Sequence, residues 1–511
     1  MNSEAGRVPS RWDFLKETLP GGRVGLFVAA VVAVHLVAAW FNAGFLNADE
    51  HYQIIEFAQY KLGYQPASAL AWEFAMRMRP ALQPWVAAVA IRGHHALGLM
   101  SPFAIAFSLR LLSTLLAMAV SFELCRRCLR SAGRTARQVA LFMSFFLWLA
   151  PTLHGRFSSE NWSGLWFAAG LCLLMDALDQ GPRRARSAIL AAFAGLLWAL
   201  AFYSRFQMAI AIAGVVLWLL IVRRRSTALV AVIAVSFAVG CGLNEVIDHW
   251  LYGVWTFAPL NYFDVNLIQG KAATFGTAPW WMVPLYLGVV LIPPYSGAIL
   301  ALLAIGSWYA RREMIVWIAV PFVIAHAALA HKEARFLIPL LYIVGPWLAV
   351  CLDRLPAHAR ATFGRWRRTP TGRLNVAAFS AINFLALSVA IVSPANDSIR
   401  LDQWLWEYGR QLRPGIYAFD ERSTGLPGNV TESFYRSDVA MMPFTSLDQM
   451  RAARVASPVF VYYRGAAPAA LTTANCTPVL RTYPAWLTGL PAFTRLTNVQ
   501  PASICRLDVP R

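Results

Sequence analysis

Apolar runs of about twenty residues recur along most of this chain, and clusters of arginine separate them. A helix that crosses a hydrocarbon core needs roughly 20 residues, and only a helix or a closed barrel satisfies its backbone there. The pattern therefore predicts an all-α polytopic membrane protein. Eleven spans are read, at 24–41, 102–124, 138–153, 164–178, 188–203, 208–222, 227–242, 283–308, 315–329, 336–352 and 375–392. Composition agrees: of 511 residues, 58% are hydrophobic and 14% charged, too little polar surface to cover a soluble globule and too apolar for a disordered chain.

The net charge of +19 points to nucleic acid only if the basic residues share one exposed face. They do not. Arg7, Arg11, Lys16 and Arg23 precede the first span; Arg126, Arg127, Arg130, Arg134 and Arg137 follow the second. Further clusters (Arg183, Arg184 and Arg186; Arg223, Arg224 and Arg225; Arg311 and Arg312; Arg354 to Arg373) fall at every even-numbered crossing. Basic flanks stay on the cytoplasmic side, so the amino terminus is expected there, membrane lipids are the expected partner of these loops, and no nucleic acid is expected. The stretch 81–100 breaks this alternation if counted as a span and carries Arg92, His94 and His95, so it is read as an interfacial helix within a first external loop, 42–101. No small-residue cleavage site follows the first apolar run, which is expected to remain.

After residue 394 the polarity becomes ordinary and short strand-like runs appear at 415–419 and 459–463. The expected division is a transmembrane domain, 1–394, and a small soluble α/β domain, 395–511, on the outer side, where Cys476 and Cys505 are the two cysteines available for a disulfide. Cys125 and Cys128 form a CxxC without a second pair to complete a zinc site. No metal and no cofactor is expected.

Polar groups cluster at the outer ends of the spans. The external loop opens with Asp49, Glu50 and His51, then Gln53, Glu56 and Tyr60 at helical spacing, followed by Trp72, Glu73, Arg77, Arg79, Pro80 and Pro84. An aromatic belt with snorkelling arginines accounts for part of this; several cations facing one side also suit an anion. Arg156, Ser159 and Glu160, then Ser204, Arg205 and Gln207, occupy later external turns. The stretch 244–281, read as a loop, carries Glu245, Asp248, Tyr252, Asn261, Trp255, Trp280 and Trp281, many donors and stacking rings with few charges, which fits a polyhydroxyl ligand. His331, Lys332, Glu333 and Arg335 lie between two short spans, a pattern suited to phosphate.

Four of these segments resemble the Alg9-like mannosyltransferases. The family's Pro-Asp-Glu motif with a following Gln and Glu is matched by Ala48, Asp49, Glu50, Gln53 and Glu56, with Ala in place of Pro. Its Thr-Trp-Glu motif and following Arg are matched by Ala71, Trp72, Glu73 and Arg79. Its Tyr-Gly and Tyr-Gly-Thr-x-Pro-Trp runs resemble Tyr252, Gly253 and Phe275, Gly276, Thr277, Pro279, Trp280; its His-Lys-Glu-x-Arg-Phe motif is complete from His331 to Phe336. In the segment after the third span only Arg156 and Ser159 carry over, because Glu160 precedes Asn161.

The resemblance implies a GT-C fold and a polyprenyl-phosphate sugar donor, usually mannose, transferred to a glycan or glycolipid acceptor. It implies Asp49 as base with Glu50 in reserve, and His331, Lys332, Arg335, Arg79 and Arg205 around the donor phosphate. Gln53, Glu56, Trp72, Glu73, Asp248, Tyr252, Asn261 and Trp280 are the expected sugar and acceptor contacts. A lipid-linked-sugar transporter is the rival, and it predicts polar residues near mid-span; a GT-C transferase for another sugar, or for a lipid A or protein acceptor, is a second. Abundant Ala and an excess of Arg over Lys suggest a bacterium of high genomic GC, hence an inner membrane with the site facing the periplasm; the endoplasmic reticulum is the alternative.

Overall fold

A computed structural model describes residues 9–180, 185–224, 227–396, 398–408, 416–419, 433–436, 441–444, 446–452, 459–483 and 502–508. The chain is mostly helical and divides into two compact units. The first comprises Met1–Asn42, Met76–Val86 and Ser108–Ser393; the second comprises Ala43–Ala75, Ala87–Phe107 and Pro394–Arg511.

Among the described residues six helices are long and apolar enough to cross a membrane: Val24–Phe41, Pro102–Cys128, Ala185–Ser204, Thr227–Tyr252, Ala334–Arg354 and Pro370–Val392. Shorter apolar helices are Met208–Ile221, Ser296–Tyr309 and Met314–Ala328. This is a multi-pass membrane protein. Between such helices hydrocarbon supplies no hydrophobic drive, so close approach of small residues sets the contact. A Cβ on Gly240 would lie 2.5 Å from that of Ala199, and one on Gly306 2.5 Å from that of Cys351. At the arginine-rich ends the clusters pair with acids: Arg127 with Asp176 at 2.8 Å, Arg126 with Glu123 at 2.6 Å and Arg137 with Glu17 at 2.7 Å.

Three apolar runs differ from the helices expected of them, two by breaking and one by lengthening. The run 283–308 is two helices, Met282–Val290 and Ser296–Tyr309, because Pro293 and Pro294 lack the amide that would continue the ladder. The run 138–153 breaks between Arg134–Phe145 and Ala150–His154. Asn383, fully buried, spans that break: Trp148 N donates to its Oδ1 at 3.0 Å and its Nδ2 donates to Phe146 O at 2.6 Å. Broken backbone at membrane depth needs such a partner. The third departure lengthens a helix. The run 227–242 continues as one helix, Thr227–Tyr252, so Asn244, Glu245, Asp248 and Tyr252 are helical rather than in a loop. No proline intervenes before Gly253, and polarity alone does not stop a helix.

In the second unit a helical run comprises Ala48–Glu50, His51–Ile55 and Glu56–Lys61, and among the described residues the carboxy-terminal part forms a five-stranded sheet. The strands are β1 (Ile416–Phe419), β2 (Met441–Phe444), β3 (Val459–Arg464), β4 (Thr477–Arg481) and β5 (Ala502–Leu507), in the order β2-β1-β3-β5-β4. β1 is parallel to β2 and β3; β5 is antiparallel to β3 and β4. Successive side chains of β3 alternate faces: Val459, Val461 and Tyr463 pack with Leu471 and Leu507, while Tyr462 packs with Leu401, Leu405 and Ile504 around the Ile399–Tyr408 helix. Cys476 and Cys505 are joined as a disulfide.

Candidate active site

The expected site residues occur in both units, and each group is described by itself. In the second unit, Asn47 is extended and its carbonyl accepts from Glu50 N at 3.0 Å, which starts the helical run. Leu46 N donates to Glu50 Oε2 at 3.3 Å, so Glu50 turns back and is only 5% exposed. Asp49, its neighbour, is half-buried and keeps access to solvent.

The run then makes one π turn, His51–Ile55. A π turn brings residues five apart onto one face, and His51 Nε2 meets Glu56 Oε1 at 2.7 Å with both groups buried. Glu56 also accepts from Gln65 Nε2 at 2.7 Å, Ser433 Oγ at 2.5 Å and Phe434 N at 3.1 Å. The His51 ring stacks between Phe45, 5.1 Å away, and Tyr435, 5.4 Å away. Gln53 Nε2 donates to Glu73 Oε1 at 2.9 Å, both buried. Of the sugar contacts expected here, Gln53, Glu56 and Glu73 thus face protein partners, whereas the Trp72 ring is exposed.

In the first unit two motifs interlock. His331 Nδ1 lies 2.7 Å from Gly276 O, Ala278 N donates to Ala330 O at 3.0 Å, and Lys332 Nζ donates to Ala278 O at 2.7 Å and to Leu329 O. Gly276 sits at φ +107, a conformation that side chains resist. Trp280 is left 68% exposed. Beyond Lys332, Arg335 forms a forked pair with Glu333, Nε to Oε2 at 2.6 Å and Nη2 to Oε1 at 2.9 Å.

Arg335 shares an aromatic platform with Arg205: their guanidinium carbons lie 5.7 and 5.1 Å from the Phe336 ring centroid. Glu160 stands between them, its Oε1 3.2 Å from Arg205 Nη2 and 3.7 Å from Arg335 Nη1, and is 1% exposed. Arg205 Nε is buried and finds no acceptor among the described residues. A buried guanidinium donor without an acceptor is costly, and a phosphate oxygen is the acceptor such a fork matches. Glu160 is the residue sequence reasoning set aside. Its signal was present: a carboxylate in the first turn of the helix Ser159–Gln180, ahead of the apolar run 164–175.

Arg79 reaches the same neighbourhood through another ring. Its guanidinium lies 5.6 Å from the centroid of Tyr262, whose ring meets Phe206 at 5.2 Å and whose hydroxyl accepts from Gln207 Nε2 at 3.3 Å. The segment carrying Arg79 is held by its backbone. Asn261 Nδ2 donates to Arg77 O at 3.1 Å, Tyr252 OH donates to Arg79 O at 2.6 Å, and Ala81 N donates to Asp248 Oδ1 at 2.7 Å. Asp248 is fully buried. These three, expected as sugar contacts from their polarity, each hold a backbone group of the chain, and Asp248 Oδ2 is buried with no partner among the described residues.

The sequence profile of the Alg9-like mannosyltransferase family matches residues 26–399, which include every motif above. The chain belongs to that family. GPI mannosyltransferase 3 of Yarrowia lipolytica is 29% identical over 353 residues, covering 65% of this chain and 63% of the relative. A probable Dol-P-Man:Man(7)GlcNAc(2)-PP-Dol alpha-1,6-mannosyltransferase of Schizosaccharomyces pombe is 25% identical over 135 residues, 26% of this chain and 24% of the relative. The chain thus spans less than two thirds of these curated relatives. ArnT from Cupriavidus metallidurans, solved bound to undecaprenyl phosphate, shares the fold with a TM-score of 0.56 at 15% identity, over 95% of this chain and 98% of that one.

Proposed function

We propose that this family member is an inverting mannosyltransferase that moves mannose from a polyprenyl-phosphate donor to a hydroxyl of a glycan or glycolipid on the outer face of the membrane. The observation that carries this reading is buried Arg205 and half-buried Arg335 sharing the Phe336 ring, with Arg205 Nε lacking an acceptor among the described residues. The naming of relatives as mannosyltransferases, one of them for Dol-P-Man, supports the donor class.

In this mechanism Asp49 accepts the proton of the acceptor hydroxyl as its oxygen attacks the anomeric carbon. The carbon–oxygen bond to phosphate breaks on the opposite side, so the anomeric centre inverts and polyprenyl phosphate leaves with the electron pair. A lipid phosphate is already a competent leaving group, and one carboxylate suffices. Solvent access favours Asp49 over Glu50, whose carboxylate turns back to Leu46 N. Arg205, Arg335 and Arg79 neutralise charge gathering on the departing phosphate, with Lys332 and His331 holding the cradle's backbone. Exposed Trp280 and Trp72 offer stacking faces for sugar rings.

The topology proposed with it has eleven crossings, a cytoplasmic amino terminus, and residues 395–511 as an outer domain. An oxidising outer compartment suits the Cys476–Cys505 disulfide. The inner membrane of a bacterium is the proposed location. The test is mannose transfer from radiolabelled polyprenyl-phosphate mannose by membranes containing the protein, lost in Asp49→Asn; absence of transfer by the wild type overturns the reading.

A further inference from the structure

Residues 77, 79 and 81 are gripped in alternation by Asn261, Tyr252 and Asp248. The segment is a turn followed by bends, with no ladder of its own, and these three side chains hold its backbone at three points. Arg77 holds φ +51, a left-handed conformation that carries strain in a residue with a side chain, and Pro80 fixes the backbone between the last two anchors. Strain of this kind persists only where surrounding contacts over-determine it. The three anchors supply that surplus from Thr227–Tyr252 and from Ala258–Phe263, and the latter helix also carries Tyr262, over which the Arg79 guanidinium lies. Backbone and side chain of Arg79 are therefore indexed to two neighbouring helices, the first through Tyr252 and the second through Tyr262.

We propose that Asp248, Tyr252 and Asn261 are positioning residues that set the reach of Arg79 toward the donor phosphate, and that they do not contact the acceptor sugar. The proposal rests on the donor reading given above. The burial of Asp248 and the engagement of all three groups with backbone atoms leave sugar recognition to other residues. A guanidinium that must meet a phosphate tolerates little displacement, since a misplacement on the order of 1 Å far from the chemistry costs as much as ~10²-fold.

The test is initial-rate kinetics with polyprenyl-phosphate mannose for the wild type, Tyr252→Phe, Asp248→Leu, Arg79→Ala and the two doubles with Arg79→Ala. Tyr252→Phe removes one hydroxyl and keeps the ring, so elution as a single peak in detergent verifies folding. The expected result is a donor KM raised about 5- to 20-fold in Tyr252→Phe and Asp248→Leu, the range of one lost hydrogen bond, with acceptor KM unchanged. In the Arg79→Ala background the same substitutions add nothing, because residues acting through one group are not additive. Raised acceptor KM, unchanged donor KM, or multiplicative effects with Arg79→Ala overturn the clamp while wild-type transfer continues. A wild type that transfers no mannose overturns the donor reading, and the clamp with it.

Discussion

At Glu160 a single buried carboxylate stands between two guanidiniums, and the account makes a definite demand of it. Arg335 has a second acid in Glu333, whereas Arg205 has only Glu160 among the ion pairs of the described residues. Removing one partner of a buried pair costs about 3–5 kcal/mol, so Glu160→Gln should melt well below the wild type. A lipid phosphate restores the missing charge, and a ligand stabilises by its differential affinity for the folded state. Added polyprenyl phosphate should therefore raise the Tm of Glu160→Gln more than that of the wild type; equal shifts in a thermal scan count against these arginines meeting the phosphate. The residue escaped sequence reasoning because its order relative to Asn161 departs from the family pattern, and order along one turn says little about which group faces a neighbouring helix. Asp248, Tyr252 and Asn261 raise the opposite difficulty. Polar side chains near the outer end of a span satisfy either a ligand or the chain's own backbone, and hydropathy does not separate the two.

At the scale of elements, the helical run beginning at Ala48 is tied to Ser433 and Phe434 through Glu56, far apart in sequence within one unit. Glu56→Ala takes the carboxylate acceptor from the Ser433 hydroxyl and the Phe434 amide, each worth about 1–3 kcal/mol when buried and unsatisfied, while Gln65 Nε2 keeps the Glu56 carbonyl at 2.7 Å. Amide exchange should then quicken together in Glu56–Lys61 and in Ser433–Arg436; faster exchange confined to the first segment contradicts the tie. The π turn that sets up this contact was illegible, since ordinary helical spacing puts His51 and Glu56 on different faces. Most span helices were legible, and Val24–Phe41 coincides with its apolar run, because length and hydropathy are what a bilayer selects. The run 283–308 misled because proline is not polar: Pro293 and Pro294 break the helix without lowering its hydrophobicity. The helix to Tyr252 misled because charged residues were read as the end of a helix when they only end its apolar part.

For the whole molecule, a fold shared with ArnT at 15% identity shows that the arrangement of helices tolerates wide change, so the fold by itself names no sugar and no acceptor. The match to the family extends over residues 26–399 and includes the motifs. The alternating arginine clusters make a separate demand. A reporter fused after Arg368 should read cytoplasmic and one fused after Arg511 outer; a cytoplasmic signal at Arg511 removes the eleven-crossing topology. The central claim is the chemistry assigned to Asp49, and turnover of purified wild type and Asp49→Asn on radiolabelled polyprenyl-phosphate mannose tests it most directly. The account predicts kcat lower by at least ~10² in the variant, with donor KM kept within about two-fold because a base acts in the transition state rather than in binding. Near-normal turnover by Asp49→Asn would contradict it.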